Sequence, residues 1–250
     1  MLSIEEIKLL IEKLEKVKKE DLQELIDSNL KILKDLESAV DANNEEVIER
    51  LDKTPEWFMK DNDQKKKKPN VDPLLQKQIQ TKIFQFAKTN LYNSLEIGPG
   101  NGMFSMDFRA WRLNFYLDLT HKIGPGILAR FNPAHRKYLR FYKTRNTECS
   151  NIPQESCNFV FSWDTFVFFT QQHIRQYLHD IKRVLIPGGY CFIQYADCHF
   201  DVELNLAKRG YWNYNTKNAM TEIIKEAGYE VVEMNMFRPG ASYAIFHKPG

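Results

Sequence analysis

The sequence predicts an α/β protein: a doubly wound, mostly parallel seven-stranded sheet with an antiparallel last strand, preceded by an N-terminal helical segment. Three observations predict it. From Asp72 onward, short apolar runs of strand length alternate with stretches of helical spacing, the pattern of a parallel sheet. The last two runs, Tyr229–Met236 and Ser242–His247, are separated only by an Arg238-Pro239-Gly240 turn, so they form an antiparallel hairpin at one edge. Residues 1–52 contain no Gly, Pro or aromatic residue and are rich in Leu, Ile, Lys and Glu, unlike the rest of the chain.

Taken in order, Ser3 with Glu6 forms a capping box that starts a helix. Ile4, Ile7, Ile11 and Leu14 make one helical stripe; Leu22, Leu25, Asn29, Ile32, Leu36 and Ala39 make a second, out of phase with the first. The shift is either a stutter in one long helix or a break near Lys19-Glu20-Asp21. Asn43 and Asn44 precede a third helical stretch, Glu45 to Leu51. These helices either pack on their own domain or form a homodimer, with Asn29 setting register. Residues 1–60 are read as the helical segment and 61–71 as a basic linker carrying Lys65–Lys68. Residues 72–250 are the domain that carries chemistry.

Within that domain, residues 72–89 carry Leu74, Leu75, Ile79, Ile83 and Phe86 at helical spacing. A strand at Ser94–Ile97 runs into a glycine-rich turn and a short helix, Met103–Trp111. Further strands are expected at Leu113–Leu117, Leu139–Lys143, Asn158–Ser162 and Tyr190–Tyr195. Helices are expected at 171–185 and at Lys217–Ala227.

Composition narrows the function classes. The chain has 250 residues, 43% of them hydrophobic, and a formal net charge of +2, so no global charge calls for nucleic acid or a membrane. The partner expected is a small-molecule acceptor. Cys149, Cys157, Cys191 and Cys198 form no C-x-x-C pair and have no His cluster at zinc spacing, so no metal is expected. Free thiols and the lack of an apolar leader or a run of about 18 apolar residues predict a cytoplasmic location.

The main motif is Leu95-Glu96-Ile97-Gly98-Pro99-Gly100-Asn101-Gly102. Glycine accepts positive φ and lets backbone approach a ligand closely. A dinucleotide fingerprint G-x-G-x-x-G would place its third glycine at Met103. The sequence instead has G-x-G-x-G, with an acid two residues ahead. This motif, together with Lys182-Arg183-Val184-Leu185-Ile186-Pro187-Gly188-Gly189-Tyr190, resembles the class I S-adenosylmethionine-dependent methyltransferases over residues 72–250.

The resemblance implies S-adenosylmethionine as cofactor, with S-adenosylhomocysteine as product. Gly98, Pro99, Gly100, Asn101 and Gly102 would bring backbone to the amino-acid portion of the cofactor, and Glu96 would shape that end. Asp118, after the second strand, would accept from the ribose hydroxyls; an exposed turn aspartate is the plain alternative. Asn146 or Glu148, with Glu148 preferred, would accept from the adenine amino group. Ser162 and Trp163, at the fourth strand's exit, would border the cofactor, although Trp163 suits core packing equally.

Methyl transfer to a hydroxyl or amine needs alignment and, at times, a base. Many relatives carry His shortly after the fourth strand; here that position is Phe168. The catalytic candidates are therefore His199, Asp197 and Asp164, His199 first because its ordinary pKa lies near neutrality. The insert Phe200–Asn215, with Tyr211, Trp212 and Tyr214, has the composition of a substrate lid; Lys208, Arg209 and Arg238 could meet a phosphate. The resemblance implies O-methylation of a small polar acceptor, similar to bacterial enzymes of sugars or surface-polysaccharide precursors, phosphorylated or phosphoramidate groups included. An N-methyltransferase and a non-catalytic scaffold subunit are the alternatives.

Overall fold

A computed structural model describes residues 71–86, 93–108, 112–119, 123–144 and 147–250. The expected N-terminal helices, homodimer and basic linker lie outside the described residues, apart from Val71.

The elements alternate as expected. Helix α1 spans Pro73–Phe86 and strand β1 Asn93–Ile97; β2 is Leu113–Asp118, α2 Ile123–Arg130, α3 Pro133–Arg136 and β3 Leu139–Lys143. Then come β4 Cys157–Ser162, α4 Gln171–Val184, β5 Leu185–Gln194, α5 Asp201–Lys208, α6 Lys217–Glu226, β6 Glu230–Met236 and β7 Ser242–His247. The strands form one seven-stranded sheet in the order β3-β2-β1-β4-β5-β7-β6. β7 lies antiparallel to both β5 and β6, and the pairs among β1 to β5 are parallel.

Period-two alternation sends side chains to two covered faces. On β4, Val160 enters one core while Phe159 and Phe161 enter the other; Cys157, set off from Phe159 by a register irregularity against β5, joins Val160. The first core is closed by α4 and α6. Helix α4 presents Ile174, Tyr177, Leu178, Ile181 and Val184, a single stripe of spacing three to four. Its start is fixed by Thr170, whose Oγ1 accepts from the His173 N–H. The second core is closed by α1 through Leu75, Ile79 and Ile83. Burying each such side chain contributes about 1.5–3 kcal/mol.

Several expectations are corrected. Leu74 points to solvent, because α1 starts at Pro73 and Asp72 accepts from the Leu75 N–H, which sets the buried stripe one residue later. The expected helix at Met103–Trp111 is a 3-10 turn, Ser105–Phe108, with residues 109–111 outside the described part. Helices α2, α3 and α5 go beyond the sequence expectation. β5 starts at Leu185 and takes in Pro187-Gly188-Gly189, with a register irregularity against β4. In the same segment Arg183 is a brace. It reaches Asp180 at 3.0 Å and donates to the carbonyls of Ile152 (3.0 Å) and Cys149 (2.7 Å), so it holds the approach to β4.

Candidate functional site

The chain leaves β1 for β2 on one side and returns to β4 on the other. The C-terminal ends of β1 and β4 therefore diverge into a crevice, the place where open α/β sheets bind ligands. The glycine-rich turn lies there. Gly98, Gly100 and Gly102 have φ of +65°, +52° and +74°, values that favour glycine. They differ in surroundings. A Cβ on Gly98 would lie 2.0 Å from Thr165 Oγ1, and one on Gly102 would lie 2.9 Å from Ile127. A Cβ on Gly100 would meet nothing within 4 Å, so at that residue backbone faces open space. The turn is closed by the Gly102 N–H donating to Pro99 O at 2.8 Å, and Arg130 holds Asn101 O at 2.7 Å. Pro99 is buried and Asn101 is exposed.

Glu96 sits beneath the turn. It is 3% exposed, its Oε2 accepts from Ser105 Oγ at 2.6 Å, and burial pushes its pKa up to about 8, with the Asp107 charge adding to the rise. Tyr116, on the neighbouring strand, buries a hydroxyl with no hydrogen-bond partner among the described residues. A cation reaching Glu96 would favour its ionised form. This buried carboxylate and the open face of Gly100 both suit the amino-acid end of the expected cofactor.

Asp118 ends β2, half-buried, and its carbonyl accepts from the Thr144 N–H at 2.9 Å. The Gly98 N–H donates to Leu117 O at 2.8 Å, which places Asp118 beside the glycine turn. Glu148 is exposed on the loop after β3, and Asn146 lies outside the described residues.

Across the crevice, Ser162 is buried with its Oγ donating to Ile97 O at 2.8 Å, a bond that ties β4 to β1. Trp163 goes to the core: its indole is surrounded by Phe104, Phe192 and Phe237, so its side chain packs. Asp164 has φ +56°, a conformation costing a non-glycine residue about 1–2 kcal/mol. Such strain collects at functional sites when the surroundings enforce it. Here Gln194 enforces it: its Oε1 accepts from the Asp164 N–H at 2.7 Å, and its Nε2 donates to Gly240 O at 3.1 Å. Burial raises the pKa of Asp164. Thr165 and Gln194 escape a reading of the sequence because neither belongs to a local motif; both act across strands.

After β5, Asp197 is buried and its Oδ1 lies 3.0 Å from His199 Nδ1. The same oxygen accepts from the backbone N–H groups of His199 (3.3 Å) and Lys217 (3.2 Å). Asp197 is therefore a turn staple that also orients an imidazole. With Asp197 ionised and the ring neutral, the ring donates from Nδ1 and Nε2 is the acceptor. His199 itself is largely exposed. Among the described residues no group of three or more His, Cys, Asp or Glu is placed to hold a metal.

The insert before α6 contains α5, whose Glu203 is fully buried. Its Oε1 accepts from Ser242 Oγ at 2.9 Å, while Oε2 has no partner among the described residues; burial raises its pKa. Tyr211 and Tyr214 are exposed, whereas Trp212 packs on Val167, Ala196 and Cys198. Arg238 is paired with Asp72 in an exposed ion pair. His173 lies on α4 against Phe169, and Phe168 is part-exposed in a 3-10 turn.

A family model described as a methyltransferase domain matches residues 43–234. No curated protein matches the sequence. Many solved structures share the fold. A SAM-dependent methyltransferase from Aquifex aeolicus is 15% identical with a TM-score of 0.54, covering 77% of this chain and 97% of its own. The N-methyltransferase NodS from Bradyrhizobium japonicum is 15% identical with a TM-score of 0.56, covering 72% and 99%. The PH0226 protein from Pyrococcus horikoshii is 13% identical with a TM-score of 0.57, covering 72% and 94%.

Proposed function

The chain belongs to the methyltransferase domain family, and from that premise we propose that it methylates an oxygen of a small polar acceptor, with S-adenosylmethionine as donor. Bound in the crevice, the cofactor supplies a methyl group on a sulfonium. The residues that would hold it are Gly98, Pro99, Gly100, Asn101 and Gly102 through backbone, Glu96 at the amino-acid end and Asp118 at the ribose diol. Glu148 and Asn146 are the adenine candidates, and the backbone at Ser162 and Trp163 would form the far wall. Two acceptor oxygens on Asp118 suit two adjacent hydroxyl donors.

The observation that carries a base-assisted transfer is the Asp197–His199 pair, with 3.0 Å between Oδ1 and Nδ1; the choice of oxygen over nitrogen rests on the resemblance of the sequence to sugar-modifying enzymes. A carboxylate-oriented imidazole with Nε2 open can take a proton from a hydroxyl as the methyl group is transferred. Asp164 is the second candidate, since burial moves its pKa toward neutrality. Exposed Tyr211 and Tyr214 suit stacking on a sugar ring, which supports a sugar or a phosphorylated or phosphoramidate polysaccharide precursor as acceptor. Four free, buried cysteines fit a reducing compartment, so we place the protein in the cytoplasm.

The test is calorimetry with S-adenosylhomocysteine, followed by labelled-methyl transfer to a panel of sugars, phosphosugars and amines. Stoichiometric cofactor binding with label on a hydroxyl or phosphate oxygen is expected. Label on nitrogen would support the N-methyltransferase alternative. Absence of cofactor binding would sink both in favour of a scaffold role.

A further inference from the structure

The near-neutral total conceals a segregation of charge. Thirty-five basic residues nearly balance thirty-three acidic ones over the whole chain, yet residues 109–145 hold nine Lys and Arg and a single acid, Asp118. The sheet collects part of that excess around an open surface cavity of about 370 Å³ lined by the exposed residues Arg112, Lys137, Tyr138 and Arg140 and the half-buried Leu113. Leu113 and Leu139 begin β2 and β3, so the cavity lies at the N-terminal ends of two parallel strands. The methyl-transfer crevice lies at their C-terminal ends. Five residues of strand separate Leu113 from Asp118, roughly 17 Å.

We propose that this cavity binds a phosphate-bearing small molecule at a site separate from the crevice. Three of its five lining residues are cations, and none pairs with a carboxylate among the described residues. The Arg140 guanidinium is pre-oriented: Nη1 donates to the carbonyls of Lys137 (2.7 Å) and Leu139 (2.9 Å), which fixes its plane without neutralising its charge. Lys137 Nζ lies 5.0 Å from the centre of the Tyr138 ring, a cation–π contact that holds the ammonium near the cavity wall. The Asn114 N–H donates to Tyr138 O at 2.9 Å and joins the two walls.

Guanidinium forks match phosphate oxygens in shape, and three cations without a carboxylate partner among the described residues favour an anion of more than one charge. The exposed Tyr138 ring beside the cations offers a flat face on which the rest of such a ligand can lie. Basic side chains also guard edge strands against unwanted pairing, and β3 is an edge strand. That role does not account for Arg112 and Lys137, which precede the strands and still converge on the cavity.

The test is calorimetric titration of the full chain with sodium pyrophosphate. Saturable binding is expected, weakened roughly tenfold by R112Q and by K137Q separately and further by R112Q with R140Q. S-adenosylhomocysteine affinity should be unchanged in each variant, which also reports that the variants fold. Absence of saturable pyrophosphate binding, or equal affinity in the variants, overturns the assignment. Competition between pyrophosphate and S-adenosylhomocysteine overturns it by placing the anion in the crevice. Displacement of pyrophosphate by a short single-stranded RNA at far lower concentration overturns the small-molecule class. Pyrophosphate binding is independent of whether methyl transfer is found.

Discussion

Gly98→Ala tests the crevice directly, because its cost can be built from two separable parts. The first is conformational: at φ +65° an alanine costs about 1–2 kcal/mol. The second is steric: the new Cβ would lie 2.0 Å from Thr165 Oγ1, 2.7 Å from Cγ2 and 2.9 Å from Cβ, and overpacking of that kind costs about 1–3 kcal/mol. Together they give roughly 2–5 kcal/mol, or several degrees in Tm at about 2–4 °C per kcal/mol for a domain of this size. The steric part resides in Thr165. In a Thr165→Ala background Oγ1 and Cγ2 are gone and only Cβ, at 2.9 Å, remains, so most of the steric cost is relieved and Gly98→Ala should cost closer to the conformational part, about 1–2 kcal/mol. Gly100→Ala is the companion: with no atom within 4 Å it should lose only about 1–2 kcal/mol of stability, while S-adenosylhomocysteine binding drops sharply because its methyl group enters the crevice. Chemical denaturation of the four variants and calorimetry with S-adenosylhomocysteine measure both effects. Equal costs of Gly98→Ala with and without Thr165, or cofactor binding by Gly100→Ala as tight as the parent's, would refute this account of the turn.

Glu96 makes stability fall with pH. The folded state keeps its carboxyl protonated up to about pH 8 against an ordinary value of 4.5, so stability is fullest below 4.5 and declines as pH rises toward 8, by up to about 1.4 kcal/mol per unit. Glu96→Gln should flatten that slope in denaturation series at several pH values, and an unaltered slope would exclude Glu96 as its source. His199→Ala should leave Tm within about 1 °C, since the ring is largely exposed, yet lower kcat by roughly 10²–10⁴ if it is the base; unchanged turnover would pass that role to Asp164. Asp197→Ala should instead cost about 1–3 kcal/mol, because the backbone N–H groups of His199 and Lys217 both lose their acceptor. A Tm equal to the parent's would show that the staple is dispensable.

Much of the fold is legible in the sequence because burial imposes a period on neighbouring residues. The stripe of α4 and the runs that form β1, β2, β3 and β4 match their sequence patterns within a residue or two, and the hairpin of β6 and β7 follows from the missing helix between them. The elements that escape have weak periods. α5 has one buried side chain, Glu203, which no apolar pattern could reveal, and α2 carries Gly124, Pro125 and Gly126, which read as a turn. In the candidate site, contiguous residues are legible and distant ones are not. Trp163 suits crevice and core equally in the sequence, and only the convergence of Phe104, Phe192 and Phe237 decides for the core.

By itself, then, the sequence determined the strand–helix alternation, the glycine turn and the acid beneath it, since each is written in residues a few positions apart. Tertiary structure decided why Gly98 must lack a side chain, what holds Asp164 in a strained conformation, and that Asp197 is occupied by three donors. It also decided that basic residues near the starts of β2 and β3 share one cavity. The physical reason is the parallel sheet itself. It aligns strand ends from distant parts of the chain, so which groups meet there depends on strand order and register, and no local pattern of hydrophobicity carries that information.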